Sequence, residues 1–154
     1  MNEKWQERTR LLAGEKTLER YANAHVLVVG LGGVGAYAAE QLCRAGIGEM
    51  TIVDADNVDI TNINRQLLAT TESIGTSKVS VMAQRLRSIN PDIRLHEVHE
   101  FLRDEGTIRL LESTKFDYVV DAIDTLSPKV FLIYFTMKMN IPLVSAMGAG
   151  GKFF

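Results

Sequence analysis

The residues with the clearest chemical potential are the glycines of GLGGVG, residues 30–35. A β-rich apolar run, residues 25–29, leads straight into this turn, and a segment of helical period follows it. Gly30, Gly32 and Gly35 fit the dinucleotide-type spacing, in which each glycine permits a tight turn, close approach of backbone to phosphate, or close helix packing. A helix beginning there presents free backbone N–H groups and a partial positive charge, so an anion is the natural occupant. The same glycines would also serve a bare helix–strand crossing. Asp54 ends the next apolar run, where its carboxylate can accept hydrogen bonds from ribose hydroxyls or cap the following loop. To this point NAD and ATP are equally compatible.

A second group of residues separates them. Thr61, Asn62, Asn64, Arg65 and Gln66 lie just beyond the run that carries Asp54. An arginine fork beside carboxamides suits the oxygens of a polyphosphate, which a nicotinamide cofactor does not end in. Lys78 opens the next helical segment, where the helix dipole disfavours a cation unless an anion offsets it. The fourth apolar run ends in Asp121-Ala122-Ile123-Asp124, and ligands sit at the carboxyl ends of strands in open parallel sheets. Asp124 can hold a magnesium ion against phosphates, bond the nucleotide, or cap the next helix, while Asp121 suits organisation of the turn. Cys43, beside Leu42 on the first helix, reads as a packed small hydrophobe and not as a nucleophile.

These residues require a scaffold of alternating strands and helices. Strands are expected at residues 25–29, 50–54, 93–98, 117–121 and 142–146. Between the first two, Val34, Ala38, Leu42 and Ala45 predict one packed helix face ending at Gly46. Val79, Met82, Leu86 and Ile89 stripe a helix over residues 78–89, stopped by Asn90-Pro91. A shorter helix follows Asp104, and another covers residues 127–139, with Pro128 in its first turn and an apolar side wide enough to predict burial on more than one face. Residues 3–22 form a helix broken near Gly14. The pattern is α/β: a Rossmann-like, doubly wound, mostly parallel sheet with helices on both faces. Residues 55–77 interrupt it with a connection long enough to be functional.

Length and composition bound the reading. A chain of 154 residues holds one domain, and 46% hydrophobic with 23% charged residues is ordinary for a cytoplasmic globular protein. One cysteine excludes an internal disulfide, no paired zinc-ligand spacing is present, and no structural metal is expected. No leader or membrane span is read. The net charge of -2 gives no general attraction to nucleic acid, although Lys4, Arg8, Arg10, Lys16 and Arg20 make the first segment locally basic. Arg85, Arg87 and Arg94 suit a solvated surface and a phosphate track equally. The end, GAGGKFF, follows an apolar run with no closing helix or polar tail and reads as a cut.

GLGGVG, Asp54-Ala55-Asp56, Asn62-Ile63-Asn64-Arg65-Gln66, Lys78 and Asp121-Ala122-Ile123-Asp124, in that order, resemble the adenylating superfamily of ubiquitin-activating enzymes and the bacterial activators of molybdopterin and thiamine sulfur carriers, the ThiF type. The resemblance runs from about Arg8 to the end and makes residues 1–154 an ATP-binding adenylation domain. It implies that Gly33 contacts the phosphates, Asp54 the ribose, Asn62, Arg65 and Lys78 the triphosphate, and Asp124 the magnesium. Asp56 and Gln66 belong to the same nucleotide-contact set. Arg8 resembles the arginine that reaches into a partner subunit's ATP site, which implies a homodimer with Arg8, Arg65, Lys78 and Asp124 as the catalytic set. The segments RTRLLAG from Arg8 and VSAMGAG from Val144 are more similar to the tRNA threonylcarbamoyladenosine dehydratases. Members of that family use ATP to cyclise a threonylcarbamoyl group on adenosine 37 of tRNA and work with cysteine-desulfurase partners. Activation of a ubiquitin-like carrier's C-terminal carboxylate is the rival enzyme reading. An NAD-dependent oxidoreductase or nucleotide-sensing module is the rival of another class, and it leaves Arg65, Lys78 and Asp124 unexplained.

Overall fold

The computed structural model describes residues 3–148. The strands β1 (His25–Val29), β2 (Glu49–Val53), β3 (Arg94–Val98), β4 (Tyr118–Asp121) and β5 (Leu143–Ser145) form one parallel sheet in the order β3-β2-β1-β4-β5. Helices α1 (Glu7–Ala13) and α2 (Glu15–Ala22) precede β1 and meet at Gly14, whose φ of 86° breaks the helix as expected. The crossovers are α3 (Gly35–Ala45), α4 (Lys78–Ile89), α5 (Glu105–Ser113) and α6 (Leu126–Lys138).

Alternate residues of β1 enter two different cores. Val26 and Val28 pack with Ala39, Cys43, Met82 and Leu86 on one face, and Leu27 and Val29 with Leu111, Phe116 and Leu132 on the other. Every residue of β1 is therefore buried, as a central parallel strand requires. The expected Rossmann-like α/β architecture is the observed one. Strand ends differ from expectation by a residue or so, because an apolar run does not mark where ladder pairing stops; Asp54 falls just past β2. The glycine-rich end read as a cut lies, apart from Gly148, outside the described residues.

Two expected packing faces need correction. On α3 the fully buried residues are Ala36, Ala39 and Cys43; of the expected stripe, Ala38 and Leu42 pack partly buried against the same core, while Val34 is the 57% exposed N-cap. The helix packs on α4 as well as on β1, so a stripe centred on its smallest residues turns inward. On α6, Pro128, Leu132 and Thr136 face the protein, but Val130, Tyr134 and Met137 are exposed, so burial is on one face. Burial of Glu40 on α3 is offset by Arg85, foremost, and Arg44, which hold its carboxyl below the usual carboxylate range. Arg87 pairs with Glu97 and Arg94 with Glu49, so all three candidate phosphate-track arginines face carboxylates.

Candidate functional site

Strand order reverses between β1 and β4, which opens a crevice beyond the carboxyl ends of the strands. A cavity of about 770 Å³ occupies it, and the first turn, Asp54, Asp56, Arg65, Gln66, Lys78 and Asp124 all contribute to its wall.

The glycines divide the work. Gly30 has φ 94°, and a Cβ there would stand 2.6 Å from the Ala122 carbonyl oxygen. A Cβ on Gly35 would collide with the Gly30 carbonyl. Gly30 and Gly35 thus bring the start of α3 against β1 and β4, and Gly35 itself does not line the cavity. Gly32 and Gly33 do line it. Asp54 fixes this turn: one carboxylate oxygen accepts the Leu31 N–H and the other the Asp56 N–H, each at 2.8 Å.

The long connection and the start of α4 supply the cationic wall. Lys78, first residue of α4, is only 5% exposed, and its Nζ lies 3.9 Å from the exposed Asp56 carboxylate. The Arg65 Nη1 donates to Asn64 and to the Thr61 carbonyl, which leaves the rest of the guanidinium for a ligand. Gln66 is buried beside Gly32, and its Oε1 has no hydrogen-bond partner among the described residues. Asn62 is not part of the cavity wall; its carboxamide oxygen accepts the Asp59 N–H and closes a capping box around the turn Ile60–Asn62. Arg8 is exposed on α1 and also lies outside the wall. Residues 55–77 are ordered by burial of Val58, Leu68 and Ala69.

On the opposite side, Asp121 organises the turn that presents Asp124. Its Oδ1 accepts the Ile123 N–H at 3.0 Å, and its Oδ2 accepts the Ser145 hydroxyl at 2.6 Å and meets Lys129 Nζ at 2.7 Å. Lys129 also donates to the Ile123 carbonyl at 2.9 Å. Asp124 stands exposed at the rim, with the Thr125 hydroxyl 3.5 Å away. Lys129 was missed in sequence, although a lysine inside the apolar run LSPKVFLIYF is a usable signal. Glu100, Phe101 and Leu102, just past β3, were also missed as cavity wall. Cys43 is fully buried, and burial pushes its thiol up to about 11, so it is packed and unreactive as expected.

The ThiF family profile matches residues 6–152. The chain belongs to the ThiF family. It is 44% identical to the tRNA threonylcarbamoyladenosine dehydratase of Escherichia coli (strain K12) over 155 residues, covering 99% of this chain and 58% of that protein. The crystal structure of the E. coli dehydratase in complex with ATP superposes with a TM-score of 0.92 at 44% identity, covering 99% of this chain and 64% of that one. The sulfur carrier protein ThiS adenylyltransferase of E. coli is 35% identical over 87% of this chain and 53% of that protein. The ThiF-family chain thus spans little more than half the length of these curated relatives.

Proposed function

We propose that this chain is the nucleotide-binding part of an ATP-dependent adenylating enzyme of the tRNA threonylcarbamoyladenosine dehydratase type. The observation that carries the reading is the meeting of Arg65 and Lys78 with the amide-lined start of α3 in one cavity. Two cations and a helix start make a seat for a polyphosphate. Similarity to the E. coli dehydratase, whose structure was solved with ATP, supports the same nucleotide here.

In this reading the phosphates lie between Gly32, Gly33, Arg65 and Lys78, and Asp54 meets the ribose with the lone pairs its backbone bonds leave free. The orphaned Gln66 oxygen fits a donor on the bound nucleotide or its water. The carboxylate of Asp124 fits magnesium, which takes one or two carboxylates together with phosphates and water. When bound, that ion would neutralise charge on the phosphates. A substrate carboxyl or amide oxygen then bonds to the α-phosphorus as the α–β bridge breaks and pyrophosphate leaves. The side chains contribute positioning and charge neutralisation, and no covalent protein nucleophile is needed. Asn62 would join the phosphate contacts only by releasing the Asp59 N–H. Arg8 would act on a second copy's cavity, which makes the working form a homodimer. Modified tRNA and a cysteine-desulfurase system are the proposed partners, in the cytoplasm.

Activation of a ubiquitin-like carrier is the second reading, favoured by the 35% identity to the ThiS adenylyltransferase. One assay separates them: AMP release by the full-length protein, with threonylcarbamoyl-modified tRNA or with a carrier ending in Gly-Gly. Stimulation by the tRNA alone is expected. Stimulation by the carrier alone would transfer the assignment, and fluorescence quenching by NADH but not by ATP would overturn both.

A further inference from the structure

Two of the chain's three histidines converge on one carboxylate at the end of the sheet opposite the nucleotide cavity. His25 opens β1, Glu49 opens β2, and His96 lies within β3. The parallel register sets His25 beside Glu49, and Thr51 beside His96, so the three side chains share the sheet face that α5 covers. No local spacing announces this group, because the residues come from three separate strands.

The distances favour a shared central ion over direct hydrogen bonds. Glu49 Oε1 stands 3.6 Å from His25 Nδ1 and 3.7 Å from His96 Nε2, and the three residues each offer a ligand atom within 4.8 Å of the others. Those separations are too long for hydrogen bonds, which run to about 3.2 Å. A tetrahedral zinc ion with bonds of about 2.0–2.1 Å holds its ligands roughly 3.4 Å apart. The surroundings are also those of a metal ligand set. His25 Nε2 contacts Thr51 Oγ1 at 2.8 Å, the outer bond that leaves Nδ1 as the nitrogen aimed at Glu49. Arg94 approaches the other oxygen of Glu49, Oε2, at 3.8 Å, so Oε1 remains for the ion. A cavity of about 350 Å³ bordered by Ser113 and Thr114 adjoins the cluster and has room for a water as a further ligand.

We propose that His25, Glu49 and His96 bind one divalent transition-metal ion, zinc or cobalt in character, which ties the starts of β1 and β2 to β3 and keeps a position open to water. Two imidazoles and a carboxylate suit such ions, whereas magnesium and calcium prefer all-oxygen sets.

The test uses tag-free, full-length protein stripped with a chelator and titrated with Zn²⁺ alone by calorimetry and with Co²⁺ alone by visible absorption. Because His25 is buried, His25→Ala endangers the fold; His96 is exposed, so His96→Ala and Glu49→Gln carry the test, with the thermal response to ATP as the check on folding. The expected result is a site of one equivalent whose Zn²⁺ affinity falls at least 100-fold in both variants, and about 10- to 100-fold in Thr51→Val, with the ATP response unchanged. Failure to bind Zn²⁺, or retention of wild-type affinity by both variants, overturns the proposal and leaves the nucleotide assignment untouched.

Discussion

Lys78→Met separates stability from ligand binding. The methionine keeps the buried aliphatic stem and removes an ammonium group that the fold accommodates poorly. The side chain is 6% exposed, at the start of a helix, and its carboxylate partner Asp56 is 75% exposed at 3.9 Å. A cation in the first helical turn costs about 0.3–1 kcal/mol. An ion pair with so exposed a partner returns no more than about 0.5 kcal/mol. With partial relief of desolvation, the variant should gain about 1 kcal/mol without nucleotide, or roughly 2–4 °C in a protein of this size. Loss of a charge-assisted hydrogen bond to phosphate, worth about 1.5–3 kcal/mol, should weaken ATP binding about 10- to 150-fold. Thermal melts of the full-length protein with and without ATP, together with calorimetric titration, read both quantities. A lower melting temperature in the absence of nucleotide, or an unchanged ATP affinity, would refute the view that Lys78 is held there for an anion.

Lys129→Met should cost about 3–5 kcal/mol in urea denaturation, because Asp121 is left buried and uncompensated, and adding Asp121→Asn should recover part of it; a loss below about 1 kcal/mol contradicts the network. Gly35→Ala should destabilise by about 3 kcal/mol or more, since its Cβ meets the Gly30 carbonyl, and a wild-type urea midpoint would count against that close approach. Cys43 should resist a thiol reagent in the native protein at pH 8 and react after unfolding. Its raised pKa also carries a sign: the unfolded thiol ionises near about 8.5 while the folded one keeps its proton to about 11, so stability should fall as pH rises between these values. Rapid native-state modification, or a flat urea midpoint across that window, would show that the thiol is reachable.

The cavity proposed to hold the nucleotide was legible because its parts are short, contiguous and chemically unusual. A glycine turn between a strand and a helix, an aspartate at a strand end and a lysine at a helix start each carry a local physical signal. Asn62 shows where that logic stops. Its type suits a phosphate contact, but its carboxamide is drawn into a cap with Asp59, three residues away. The α3 stripe was misplaced for a related reason: periodicity gives the existence of a face, but its centre depends on packing against α4 as well as the sheet.

The sequence by itself determined the succession of strands and crossovers, the glycine turn and the grouping of the candidate site residues in a few short motifs, since backbone geometry and hydrophobic period act over neighbouring residues. Only the tertiary structure decided that Arg65 and Lys78 share one cavity with the start of α3, that Lys129 and Ser145 secure Asp121, and that His25, Glu49 and His96 meet. Apart from Lys129 and Asp121, those pairings join residues well separated along the chain, and strand order and register, which no local preference encodes, bring them together.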